Sequence, residues 1–142
     1  MDVRQLVDTQ RLVKTSFEID LMRRSANVAA AAHNRAMAVT KPNKKEFEIE
    51  AEFLHEFYSN GAQAPAYTSI VAGGANACTL HYNANNCVLN NGELLLIDAG
   101  CELDGYASDI TRTFPVNGQF SAPQADLYEL VLGAQLDRKS VV

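Results

Sequence analysis

The chain has 142 residues, 47% hydrophobic and 20% charged, with a formal net charge of -5 at pH 7. That length allows one compact unit with a real core, and the composition excludes wholesale disorder, while the negative charge argues against broad phosphate-backbone binding, which needs clustered Lys and Arg. No run approaches the roughly 20 apolar residues that cross a bilayer, and the opening Met1-Asp2-Val3-Arg4-Gln5 lacks the apolar centre of a secretion signal, so the expectation is a cytoplasmic protein with neither nucleic acid nor membrane as partner.

Residues 1–14 are too polar for a strand and too short to place as a helix. From about Ser16 to Val39 a long helix is predicted, with Ile19, Met22, Ala26, Ala29 and Ala36 at helical spacing and an Ala-rich middle. Thr15 and Glu18 have capping-box spacing at its start, and Pro42 lies just past its end. A second helix is predicted over about Lys44–Ser59, with Phe47, Ala51, Leu54 and Tyr58 as its apolar face and Asn60-Gly61 as its stop.

From Ala64 onward the pattern becomes that of short strands between Gly and Asn clusters: Tyr67–Val71, Thr79–Tyr82, Leu94–Ala99 and Ala107–Val116. Leu94-Leu95-Leu96-Ile97 is apolar at every position, which suits a strand covered on both faces. A third helix begins near Ser121, where Ser121 and Gln124 repeat the capping-box spacing and Leu127, Leu130, Val131 and Ala134 keep an apolar period. There is no repeat, low-complexity tract or linker, so nothing in the composition divides the chain.

Cys78, Cys87 and Cys101 are odd in number and include no Cys-x-x-Cys pair, which suggests small buried thiols rather than disulfides or a thiolate metal site. Gly73-Gly74 resembles a phosphate loop only loosely, since the lysine of such loops is missing. His33 and His55 lie on predicted helices and match no motif, so both read as structural.

Asp98 ends the apolar strand, and Asp109 lies in the next strand beyond a turn near Leu103-Asp104. If the two strands pair antiparallel, Asp98 falls opposite Asp109, and a two-residue change of register places it opposite Thr111 or Ala107 instead. In each case the carboxylates share a face, at Cβ separations of about 4.5 to 8 Å. Two such carboxylates beside Leu96 and Ile97 repel each other unless a cation compensates, and oxygen-only ligands favour ions such as Mn²⁺, Mg²⁺ or Zn²⁺. The spacing alone fits better an Asp98 that merely begins a turn and an Asp109 paired with Arg112, since Asp is common in turns.

The wording around the pair carries more. Leu96-Ile97-Asp98-Ala99-Gly100-Cys101-Glu102, followed by Gly105-Tyr106-Ala107-Ser108-Asp109-Ile110-Thr111-Arg112-Thr113-Phe114-Pro115-Val116-Asn117-Gly118, strongly resembles the Xaa-Pro aminopeptidase and prolidase family. The likeness extends upstream through Tyr67-Thr68-Ser69-Ile70-Val71, Leu80-His81-Tyr82 and Asn91-Gly92-Glu93 to the helix opening Thr15-Ser16-Phe17-Glu18-Ile19. It covers about Thr15 to Gln135.

The resemblance implies an α+β fold, the first part of a pita-bread domain with helices packed on a curved antiparallel sheet. Residues 15–142 would be its first half, truncated, and residues 1–14 the end of an N-terminal domain or a linker. It also implies metal-dependent release of an N-terminal residue that precedes proline, acting on peptides with proline at the second position, with a homo-oligomer as the full-length form. Two divalent metal ions are implied, manganese first, with zinc or cobalt as alternatives. Asp98 would bind one ion through both oxygens, and Asp109 would bridge both. Thr111 matches a position that supports the metal or its solvent, although ordinary β propensity explains a Thr there equally well. His81 matches a histidine that contacts substrate near the scissile bond; a lone His in a strand would otherwise read as structural.

Methionine aminopeptidases share the Asp pair, but the Ser108–Pro115 wording fits the proline-directed branch better. Two alternatives remain at this point: prolidase, which cuts only Xaa-Pro dipeptides, and a pita-bread binding module without catalysis. The family's remaining ligands, one His and two Glu, come from a second half beginning after the helix near Leu127. The expectation is therefore that this chain alone is inactive, and the tail Leu136–Val142 departs from the family's continuing helix.

Overall fold

A computed structural model describes residues 3–138. The elements run α1 (Val3–Leu12), α2 (Ser16–Val39), α3 (Glu46–Ser59), β1 (Ala64–Pro65), β2 (Ile70–Gly73), a short 3₁₀ turn (Gly74–Cys78), β3 (Leu94–Ala99), β4 (Cys101–Leu103), β5 (Tyr106–Ala107), β6 (Ile110–Pro115) and α4 (Ala122–Arg138). None of the described helices is long and apolar enough to cross a membrane. The ambiguous N-terminus is helical from Val3 to Leu12, and α4 continues through Leu136 to Arg138; the rest of the expected tail, residues 139–142, and residues 1–2 lie outside the described part.

The α2 start follows the sequence signal. The Glu18 amide donates to Thr15 Oγ1 at 3.3 Å, and the Thr15 amide donates to Glu18 Oε2 at 2.7 Å, so two otherwise unpaired donors are satisfied reciprocally. The Tyr106 hydroxyl donates to the other Glu18 oxygen at 2.8 Å, which ties this cap to β5. At the far end the Thr40 amide and hydroxyl both donate to the Ala36 carbonyl, and Pro42 prevents continuation.

The buried face of α2 includes the predicted Ala29 and Ala36 but not Ile19 or Met22, and the buried face of α3 differs from the one predicted. On α2 the buried residues are Leu21, Ser25, Ala29, Ala32, His33 and Ala36, while Ile19 and Met22 are exposed. On α3 they are Glu46, Ile49, Phe53 and Phe57, while Phe47 and Tyr58 are exposed. Both helices carry two apolar stripes, so periodicity leaves the phase open. The small residues Ala29, Ala32 and Ala36 let α2 approach closely, and Ile49, Phe53 and Phe57 fill the space between α2, α3 and the sheet.

Two three-stranded antiparallel sheets meet end to end, in the orders β2-β3-β6 and β1-β4-β5. Gly100 alone separates β3 from β4, so the central strand of one sheet runs into the central strand of the other. Leu95, Ile97 and Ala99 face the helices and are buried, whereas Leu94, Leu96 and Asp98 are half-exposed. The expected cover on both faces is thus present on one. Ala107–Val116 is not one strand either: it divides at Ser108-Asp109, with β5 in one sheet and β6 in the other.

Thr79–Tyr82 is a turn rather than a strand. The Tyr82 amide donates to the Thr79 carbonyl at 3.2 Å, and His81 adopts a φ of 54°. Alternating Thr-Leu-His-Tyr gave a strand-like pattern that the local turn geometry overrides. The expectation for the thiols holds only for Cys101; Cys78 and Cys87, at the ends of this loop region, are exposed.

Candidate functional site

The register of β3 against β6 positions the acidic pair. Asp98 lies opposite Thr111, the alternative reached by a two-residue shift from the simplest expectation. The cause is the turn: Asp104 and Gly105, with φ of 51° and 81°, form the two left-handed corner residues of the β4–β5 hairpin, one position later than the sequence suggested. Asp109 sits just before β6, two residues from Thr111, on the side of the ladder that Asp98 occupies.

Gly100 and Ser108 fix that approach. The Ser108 amide donates to the Cys101 carbonyl at 2.9 Å, and the Cys101 amide donates to Ser108 Oγ at 3.0 Å. Behind them Ser25 Oγ donates to the same Cys101 carbonyl at 3.1 Å. Asp109 therefore leaves a backbone held by α2 and β4 together. His33 supports the next residue from the core side, its Nε2 2.9 Å from the Ile110 carbonyl and its ring edge-on to Phe53. It is structural, as expected, and His55 is an exposed residue of α3.

The two carboxylates converge on one hydroxyl. Tyr67 Oη lies 2.5 Å from Asp98 Oδ1 and 2.9 Å from Asp109 Oδ1, so the phenol has a single proton to share between two anionic oxygens. Burial, reinforced by the hydrogen bonds to Asp98 and Asp109, pushes the phenol above its ordinary pKa and keeps it a donor. Among the described residues Arg112 makes no ion pair with either aspartate, and its guanidinium donates to the Thr111 carbonyl at 2.7 Å. Two facing carboxylates with one neutral donor between them are a donor set short of positive charge, and a hard divalent cation fits it. Among the described residues no third His, Cys, Asp or Glu joins them as a possible metal ligand.

A cavity of about 370 Å³ opens over the pair, lined by Tyr67, Thr68, Ile70, His81, Asp98 and Asp109 among others. Asp98, Asp109 and His81, predicted from three separate segments, are thus brought to one hollow. Thr111 is the cross-strand partner of Asp98, but it lines a different, largely apolar hollow of about 410 Å³ beneath Leu127, Tyr128 and Val131 of α4. Gly73-Gly74 is no anion site: the Glu93 carboxylate stands where a Gly74 side chain would begin, 2.6 Å from that position.

Nothing in the sequence singles out Tyr67 within the Tyr67–Val71 segment. A tyrosine in a strand-like run carries no signal of its own; the fold alone places its hydroxyl between two aspartates more than thirty positions away.

A profile described as metallopeptidase family M24 matches residues 20–138. The chain is 55% identical over 135 residues to the Xaa-Pro aminopeptidase of Haemophilus influenzae, a match covering 95% of this chain and 31% of that protein. Proline aminopeptidase P II from Yersinia pestis superposes with a TM-score of 0.93 at 51% identity, over 94% of this chain and 31% of that one. A zinc-substituted Escherichia coli aminopeptidase P in complex with product superposes with a TM-score of 0.86 at 49% identity, over 87% of this chain and 28% of that one. The chain spans under a third of the length of these relatives.

Proposed function

The chain belongs to metallopeptidase family M24, and from that premise we propose that it is the first half of the catalytic domain of a Xaa-Pro aminopeptidase, cleaving peptides with proline at the second position. Residues 15–142 form that half-domain in this reading, and residues 1–14 end a preceding domain or linker. The observation that carries the reading is the convergence of Asp98 and Asp109 on Tyr67 beneath His81.

In the completed enzyme Asp98 and Asp109 would contribute to holding two divalent cations, manganese first, with zinc or cobalt as alternatives. When bound, such cations supply Lewis-acid polarisation of the scissile carbonyl and activation of water. Tyr67 orients the carboxylates by holding its hydroxyl within hydrogen-bond distance of one oxygen of each. Thr111, the cross-strand partner of Asp98, would support the metal or its solvent in the completed site, although here it lines the neighbouring hollow under α4. His81 extends an exposed imidazole over the cavity, where it donates a hydrogen bond to the substrate beside the scissile bond. Free thiols at Cys78, Cys87 and Cys101 are consistent with a cytoplasmic enzyme. A homo-oligomer is the expected assembly of the full-length form.

The test is to complete the domain by joining residues 1–142 to the remaining C-terminal segment of the Haemophilus influenzae relative. With Mn²⁺ this enzyme should release the first residue of an Xaa-Pro-Xaa peptide and spare a peptide with alanine second. Equal cleavage of both peptides, or none by a folded, metal-loaded protein, would refute the reading.

A further inference from the structure

His81 sits in a left-handed backbone conformation on a turn outside both sheets, yet it must present its ring to the Asp98–Asp109 cavity. What holds that turn is a carboxylate on a different element. Glu46, the first residue of α3, is fully buried and accepts four hydrogen bonds. Gly73 N and Asn76 Nδ2 donate to its Oε1 at 2.9 Å each, while the Tyr82 hydroxyl at 2.7 Å and Cys87 N at 2.9 Å donate to its Oε2. All four donors come from residues 73–87, on both sides of His81. Burial alone would raise the Glu46 pKa, but the four donors outweigh it and hold the group below the ordinary value, as an anion at the amino end of α3.

A second tie comes from Asn85, whose side chain completes the free edge of β2: the Val71 amide donates to its Oδ1 at 3.0 Å, and its Nδ2 donates to the Ser69 carbonyl at 2.8 Å. Asn85 fixes the loop's return; Glu46 fixes the part that carries His81, since Tyr82 is the adjacent residue. The sequence showed neither link, because Glu46 reads there as an ordinary acidic residue in a first helical turn.

We propose that Glu46 and Tyr82 are positioning residues for His81: the buried carboxylate, through the Tyr82 hydroxyl, locks the turn that aims the imidazole into the cavity over Asp98 and Asp109. The inference rests on the reading of His81 as a substrate contact. Neither Glu46 nor Tyr82 touches the carboxylate pair, so their loss leaves metal content unchanged and acts on turnover through His81. A ring displaced by about an ångström is enough to cost a large factor in rate.

The test is a double-mutant cycle in the completed enzyme, with hydrogen exchange read in parallel. Glu46→Gln turns an amide NH₂ towards bound donors and endangers folding, so Tyr82→Phe is the principal variant. Tyr82→Phe should lower kcat about tenfold at unchanged metal content, and should cost less than about twofold more in a His81→Ala background, because groups acting through one another are not additive. Exchange should quicken in peptides spanning 79–87 and stay unchanged in those covering Ala29–Ala36 and Phe53–Phe57. An equal loss from Tyr82→Phe in both backgrounds, or unaltered exchange over 79–87, overturns the proposal. If His81→Ala alone leaves turnover intact, the substrate-contact reading of His81 fails; the clamp is then judged by exchange, where quickening confined to 79–87 upholds it and its absence overturns it.

Discussion

The backbones of Gly100 and Ser108 approach so closely that a methyl group on Gly100 would sit 1.7 Å from the Ser108 carbonyl oxygen. Gly100→Ala must therefore push apart the two chain segments that carry Asp98 and Asp109. The expected result is a loss of at least about 1 to 3 kcal/mol of stability, the usual cost of overpacking, together with weakened metal binding. Unfolding midpoints and metal titration of the completed enzyme check both, and a variant as stable and as metal-avid as the parent contradicts the geometry.

Asp109→Asn should abolish Xaa-Pro hydrolysis while leaving the fold nearly intact, since an amide cannot bridge cations as a carboxylate does. Tyr67→Phe should be milder, a loss of about 10- to 100-fold in metal affinity or activity, because it removes an orienting hydroxyl and no ligand. Near-normal turnover of Asp109→Asn with Mn²⁺ would remove Asp109 from the site, and a Tyr67→Phe defect as deep as that of Asp109→Asn would make Tyr67 more than an orienting group.

Stability should fall on mild acidification. Burial holds the His33 imidazole below its ordinary pKa, against the opposing hydrogen bond to the Ile110 carbonyl. The folded state then binds fewer protons than the unfolded state, so the stability His33 contributes is complete above the unfolded value of about 6.5 and is lost as pH drops towards the folded value. Unfolding midpoints should decline as the pH is lowered below about 6.5 and decline less in His33→Gln; a flat profile in the parent protein rules out the assignment.

Residues 1–142 expressed by themselves should show no Xaa-Pro cleavage and should self-associate. Two carboxylates under-coordinate a metal ion, and Leu127, Leu130 and Val131 on α4 are 62%, 72% and 63% exposed. Each large apolar side chain left uncovered forgoes roughly 1.5 to 3 kcal/mol of burial. Peptide hydrolysis with excess Mn²⁺ and sedimentation velocity are the measurements, and an active, monodisperse monomer would contradict the expectation.

Sequence alone determined whatever depends on nearby residues or on a long specific string. The Thr15–Glu18 capping box, the extents of α2 and α3, the apolar β3 and the family likeness around Asp98 and Asp109 were all legible, because each is encoded within a few positions or in one run of wording. Tertiary structure decided the rest. Which stripe of α2 and α3 is buried depended on the partner each helix met, since two apolar stripes were available on each. Whether Asp98 faces Asp109 or Thr111 depended on one residue's difference in where the hairpin turns. The Tyr67 bridge and the Glu46 clamp join groups 27 to 42 positions apart; their chemistry is hydrogen bonding at under 3 Å, and only the folded chain sets such distances between residues that remote.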